Sequence, residues 1–278
     1  MTRPPARGAL LLVAAMGAFA LSDVLSKQLA PVFTPVQVAW LRYALLLATV
    51  LPWARRPAAW RSRHPLLHAG RAAGLIGSAV LFQYAIQAMP VAEATAMVFA
   101  SPLFVTLLAA LALREPVGGR RWAAVLLGFA GVLVVARPGR LAFGGAEVFP
   151  LLSSMAWAIA VVCTRRLAGE PVETAMLYPA LAGALLLAPW LPLPDSGLSP
   201  GQACTALAMA ASWCGAQWLT ALAYRTAAAS SIAPFAYAQL LWAALLGAAV
   251  FGHVPQAGAL AGMALILLSG VLAARASR

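Results

Sequence analysis

The sequence predicts an all-α integral membrane protein: ten transmembrane helices forming a five-plus-five inverted-topology repeat around a central cavity. Three observations lead there. First, the 278 residues are 63% hydrophobic and only 9% charged. A soluble domain carries about 25% charged residues, so most of this surface must face hydrocarbon. Second, the apolar residues fall into ten runs close to the roughly 20 residues that cross a bilayer. Third, the basic residues alternate between connections in the way that orients spans.

The runs are expected at 8–29, 35–54, 70–88, 91–113, 119–136, 147–166, 172–191, 202–224, 227–249 and 255–274. Prolines at 31, 35, 90, 116, 138, 171, 192, 194 and 255 punctuate the connections, as residues that end or begin helices do. The first run follows Arg3 and Arg7 and contains Ala18, Phe19 and Ala20, which resemble a signal-cleavage site. Nine further runs give it a place in a bundle, so it is read as an uncleaved first span. No connection has room for a soluble domain. With the N-terminus inside, Lys27, Arg137 and Arg140 fall outside and Arg42 lies within a span; the other basic residues fall inside. This asymmetry puts both termini in the cytoplasm of a bacterial-type inner membrane.

An internal repeat is visible. From Tyr84 to Arg137 a polar-aromatic helix end is followed by a span containing Pro102, a short loop, and a span with Gly128 and Gly131. From Tyr224 to Arg275 the order recurs, with Pro234, then Gly262 and Gly270. The expected repeats are 1–138 and 139–278. Each holds five spans, an odd number, so the second enters the membrane from the opposite side. Secondary transporters use such inverted repeats for alternating access.

The stretches 84–96 (YAIQAMPVAEATA), 101–104 (SPLF) and 113–116 (LREP) resemble the first repeat of the EamA family of the drug/metabolite transporter superfamily. The stretches 231–243 (SIAPFAYAQLLWA) and 251–255 (FGHVP) resemble its second repeat. His253 departs from the family pattern, which carries Glu there; the first repeat keeps its Glu as Glu115. The resemblance implies an inner-membrane carrier of small metabolites. Export of amino acids is its first implication; transport of riboflavin or another cofactor, and drug efflux, are the alternatives.

Other classes find little footing. The net charge of +12 is explained by orientation in the bilayer, without nucleic acid. Cys163, Cys204 and Cys214 lie in apolar runs at spacings that suggest neither disulfides nor a metal site. There is no phosphate-binding Gly-x-x-x-x-Gly-Lys loop. The scattered acids and His64, His68 and His253 do not form the clustered set that a membrane-embedded lipid enzyme needs. The expected partners are a small-molecule substrate and the lipid bilayer, with no cofactor.

Ionisable residues inside a span are costly and point to function. Asp23 and Arg42 lie at matched depth, roughly 10 Å below the outer boundary, on helices joined by a short loop. Lys27 is four residues beyond Asp23, on the same helix face. These three are expected as an outer gate, as the charged end of a substrate site, or as an ion pair that locks the helices. Gln83, Tyr84, Gln87, Trp157, Tyr178, Trp213, Gln217, Tyr237 and Gln239 are the candidate lining of the cavity, which should be mostly apolar and aromatic with a few polar groups. Interfacial aromatics and interhelical hydrogen bonds account for the same residues equally simply. Pro102 and Pro234 are expected to interrupt their spans beside the cavity. The small residues of the fifth and tenth spans are expected to form scaffold or a homodimer face.

Overall fold

The structure, a computed structural model, describes residues 5–52, 60, 62, 64–112, 117–136, 145–167, 170, 172–190, 197–227 and 232–276. Arg55, Arg56, Arg61, Arg63, Arg114, Glu115, Arg137 and Arg140, used above for orientation and resemblance, lie outside the described residues.

All regular structure among the described residues is helical. The helices are α1 Pro5–Gln28, α2 Pro35–Val50, α3 Pro65–Ala88, α4 Val91–Val98, α5 Ser101–Ala112, α6 Gly119–Ala136, α7 Val148–Arg166, α8 Val172–Leu186, α9 Pro200–Thr226, α10 Ala238–Phe251 and α11 Ala257–Ala276. Segments Arg7–Gln28, Pro65–Ala88, Val91–Leu111, Val148–Arg166 and Pro234–Phe251 are long and apolar enough to cross a membrane. Pro35–Val50, Trp122–Ala136, Thr174–Leu186 and Ala257–Ala273 are shorter apolar helices.

Local chemistry fixes several starts. Thr34 caps α2 by accepting from the Gln37 amide N–H, while the Gln37 side chain accepts from the Thr34 N–H. Ser199 and Gln202 make the same reciprocal cap on α9. Each cap satisfies two backbone donors that the helix cannot, and a proline at the first helical position has no donor to lose.

Pro102 and Pro234 stand at matching places, but neither is a kink in a continuous helix. Between α4 and α5 the backbone tightens to i→i+3 bonds, Ala100 N–H to the Met97 carbonyl and Leu103 N–H to the Ala100 carbonyl. Pro102 is then the second residue of α5. Pro234 opens the 3-10 turn Ala233–Tyr237 that leads into α10. At Pro102 the interruption falls within the apolar segment Val91–Leu111, as a break between two helices, whereas Pro234 lies before its helix and not in the middle of it. A proline is tolerated where its missing N–H would have been an orphan, and the chain restarts its helix there. Pro179, inside α8, is the proline that a continuous helix does contain.

The most extensive helix contacts join α1 to α9, α3 to α7, and α6 to α11. Lesser contacts join α1 to α10, α5 to α7, α2 to α8, α2 to α9, α3 to α8, and α4 to α10. Each contact crosses from one half of the chain to the other. Small residues bring these backbones together. A Cβ added at Gly131 would lie 2.7 Å from the Gly262 carbonyl oxygen, and one at Gly262 would lie 2.6 Å from that of Gly131. A Cβ at Gly74 on α3 would meet the Ala156 carbonyl of α7 at 2.6 Å. Lipid is as apolar as a leucine, so close backbone contact, not expulsion of water, holds such helices together. The small residues of α6 and α11 are thus used inside the chain, as scaffold.

Overpacking a tight contact costs about 1–3 kcal/mol. We expect Gly131→Val to lower the thermal midpoint of the detergent-purified protein and reduce its monodisperse fraction in size-exclusion chromatography. Gly215→Ala, which meets no atom within 4 Å, should leave both unchanged.

Candidate functional site

The N-terminal end of α1 defines the near end of the bundle, and its C-terminal end the far end. Towards the far end α1, α2 and α3 bring Asp23, Arg42 and Gln83 together. Arg42 Nη2 donates to Asp23 Oδ1 at 3.0 Å. Both residues are buried, at 2% and 3% exposure. The match in depth that the sequence suggests is realised as a direct ion pair.

The pair is embedded in a polar network. Gln83, fully buried on α3, is oriented by its neighbours. Its carbonyl oxygen accepts from Arg42 Nη1 at 2.6 Å and Nη2 at 3.2 Å, and its amide nitrogen donates to Ser26 Oγ at 2.8 Å. Ser26 Oγ in turn donates to the Asp23 carbonyl at 3.0 Å. Arg42 Nε faces the sulfur of Met209 on α9 at 3.4 Å. Ser22 donates to the Met209 carbonyl at 2.8 Å. Gln239, from α10, hydrogen-bonds the Asp23 carboxylate. Charges this deep persist only when paired and hydrogen-bonded, and here partners come from both halves of the chain.

Lys27 does not share the Asp23 carboxylate. Its Nζ donates to the Ile86 carbonyl at 2.8 Å and to the Met89 carbonyl at 2.6 Å, and it sits 5.8 Å from the centre of the Phe251 ring. It caps the C-terminal end of α3, where carbonyls lack helical partners and the helix dipole is negative. Helical spacing gave the right face, and the unsatisfied carbonyls of a neighbouring helix took the charge. Glu93 on α4 adds an attractive carboxylate nearby.

The other candidate residues divide. Gln87 donates to the Phe33 carbonyl at 3.2 Å. Tyr84 stacks on Phe149 at 5.4 Å and is 40% exposed, and Trp157 is exposed to a similar degree. Tyr237 stacks on Phe99 at 4.8 Å and bonds Ser269. Gln217 is half-buried on α9 and makes no side-chain hydrogen bond among the described residues. Two candidates lie elsewhere. Trp213 is buried in a cluster with Tyr43 and Phe19, at ring distances of 5.4 and 6.5 Å. Tyr178 lies at the near end, stacked 4.5 Å from His68 and donating to the Trp60 carbonyl at 2.9 Å. An aromatic in an apolar run has the same signature whether it fills a core, closes an end or lines a path. The sequence missed Ser22, Ser26 and Met209, because a serine or methionine in an apolar helix carries no outward mark of its partner.

A profile of the EamA-like transporter family matches residues 6–137 and again residues 145–275. The chain belongs to this family. The chain also shares its fold with a solved crystal structure, with a TM-score of 0.68 and 20% identity over 98% of each chain. A riboflavin transporter of Rhizobium johnstonii is 31% identical over 96% of this chain and 91% of its own length. One from Vibrio cholerae is 31% identical over 95% and 92%. An S-adenosylmethionine uptake transporter of Rickettsia prowazekii is 26% identical over 61% and 58%. The protein is therefore an EamA-family membrane transporter, and these relatives are named transporters, not enzymes. The expectation of amino-acid export is corrected here: family resemblance alone suggested it, and these relatives are named for riboflavin and S-adenosylmethionine.

Removing one partner of a buried ion pair costs about 3–5 kcal/mol, because the other charge is left uncompensated. We expect Arg42→Gln to be more damaging to thermal stability than the double variant Asp23→Asn/Arg42→Gln. A double-mutant cycle on detergent-solubilised protein measures this. Additive losses from the two single changes would show that the pair is not coupled.

Proposed function

We propose that the protein carries riboflavin, or a closely similar neutral planar heterocycle, across the inner membrane by alternating access. The observation that carries the reading is the similarity, over nearly the whole chain, to riboflavin transporters of two bacteria. The chemistry of the site favours the flavin over S-adenosylmethionine, which is cationic at its sulfonium. The deep carboxylate Asp23 is already neutralised by Arg42, and the adjoining Lys27 is a cation. With Glu93 beside Lys27 the four charges balance, so the site offers no uncompensated carboxylate to hold a cation, and a neutral ring system with hydrogen-bonding edges needs none.

In this reading the helices form ten spans in two inverted repeats, 1–138 and 139–278, with both termini cytoplasmic. Support comes from the twofold match of the family profile and from the pairing of helices. If α1, α2, α3 and α6 correspond to α7, α8, α9 and α11, the α1–α9 contact is the counterpart of α7–α3, and α6–α11 lies on the symmetry axis. Tyr84, Trp157 and Tyr237 offer ring faces for the heterocycle. Gln87, Gln217 and Gln239 offer polar contacts to its edge and side chain. Asp23, Lys27 and Arg42 form the gate at the far end.

In this reading the far end is closed and the near end open. At the far end α1 packs against α3 and α4, with Ser26 bonded to Gln83 and Lys27 bonded to the last carbonyls of α3. Among the described residues the counterpart helices α7 and α9 make no extensive contact. Gln217, half-buried and with no side-chain hydrogen bond among the described residues, faces the substrate in that half.

The test is counterflow in proteoliposomes loaded with unlabelled riboflavin. Labelled riboflavin should accumulate transiently. Excess amino acids or S-adenosylmethionine should compete poorly, and Gln217→Ala should raise the half-saturation concentration several-fold without altering protein yield. Counterflow of S-adenosylmethionine or an amino acid, with none of riboflavin, would overturn the substrate assignment and leave the family and fold standing.

A further inference from the structure

At the near end a second buried polar cluster joins distant parts of the chain. His68, on the first turn of α3, is 1% exposed, and its Nε2 lies 2.5 Å from Glu170 Oε2. Glu170 stands in the connection between α7 and α8. Its other oxygen accepts from Ser62 Oγ, in the α2–α3 connection, at 2.6 Å. Tyr178 of α8 stacks on the His68 ring and donates to the Trp60 carbonyl. Arg71, three residues beyond His68, donates to Thr164 Oγ1 of α7 at 2.8 Å and to the Ala175 carbonyl of α8. Every one of these bonds ties segment 60–71 to segment 164–178.

The corresponding place at the far end is built differently. There the α1–α2 connection meets the start of α9 through Leu29, Phe33 and Val38 against Ala206, Met209 and Ala210. The same architectural contact is thus made mainly with apolar side chains at one end and with a hydrogen-bonded histidine–carboxylate pair at the other. A buried ion pair is no more stabilising than a well-packed apolar contact of similar volume, so packing does not call for His68 and Glu170. What a polar contact adds is release into water at low cost. An apolar contact broken at a wet mouth exposes hydrocarbon; a carboxylate and an imidazole freed there are solvated. In the reading above the near end is the open one, and among the described residues α7 and α9 make no extensive contact.

We propose that the His68–Glu170 cluster is a latch that holds the near mouth open. It fastens the near ends of α3 and α8, with Ser62, into one wall. Its release lets that wall lean towards α9. This inference rests on the transport reading above, but its test does not need a substrate.

Spin labels at Arg166→Cys and Arg225→Cys, near the ends of α7 and α9, report the width of the mouth in a background with Cys163, Cys204 and Cys214 changed to Ala. In reconstituted protein, double electron–electron resonance should give a long-distance population. Glu170→Gln and His68→Phe, which keeps the stack on Tyr178, should each shift the long-to-short ratio by about tenfold, as expected for loss of a charge-assisted bond. The double variant should shift it no further, since the two act as one contact. Ser78→Ala removes a buried bond to Ser153 within the α3–α7 contact and should leave the ratio unchanged. An unchanged distribution in folded Glu170→Gln protein, or an equal shift in Ser78→Ala, would overturn the latch. A shifted distribution in protein that moves no riboflavin would keep the latch and remove the substrate.

Discussion

The absence of water along most of this surface is the constraint on which the rest of the structure depends. A chain with 9% charged residues cannot leave a charge facing lipid, so each deep charge must be satisfied from within. Asp23 and Arg42 show how: a direct ion pair, with Gln83 and Gln239 taking up remaining donors and acceptors. Lys27 meets the same demand with carbonyls that α3 cannot use. Where no charge is involved, the same solvent removes the usual drive to bury apolar groups, and helices are held by the close approach that glycine permits. Gly131 against Gly262, and Gly74 against Ala156, are the clearest cases.

These two solutions fall in different places, and the division bears on mechanism. The tight glycine contacts run along α3–α7 and α6–α11. They cannot part without exposing backbone that has no better partner in lipid. The polar clusters lie towards the two ends, where α1 meets α2 and α3, and where segment 60–71 meets segment 164–178. Contacts that must open and close are best made from groups that water can receive, and an ion pair is such a contact. A static scaffold with polar ends suits a carrier that exposes one end at a time.

Much of the fold was legible in the sequence, because hydrophobic run length and proline punctuation report the solvent directly. Among the described residues each expected run falls on helix, that at 91–113 on α4 and α5 and that at 227–249 on a 3-10 turn followed by α10. The Asp23–Arg42 pair was legible too, since depth can be counted at a fixed rise per residue on either side of a short loop. Partners distant in sequence were not. Counting gave Lys27 a face but not the carbonyls of α3. Tyr178 and Trp213 had the composition of a cavity lining and went to an end cluster and a core cluster instead. His68 and Glu170, 102 positions apart, gave no local signal. The substrate was the least legible of all: the amino-acid expectation came from resemblance at the level of family, and nothing in helix periodicity distinguishes an amino acid from a flavin.

The central claim is that this EamA-family chain recognises a flavin. The most direct measurement is titration of purified protein in lipid nanodiscs into a fixed concentration of riboflavin, following flavin fluorescence at equilibrium. The account predicts saturable quenching with one flavin per chain, reversed by excess roseoflavin, a very weakly fluorescent analogue with the same isoalloxazine ring system, and unaffected by amino acids. Fluorescence that stays unsaturable, or that an amino acid reverses, would contradict it.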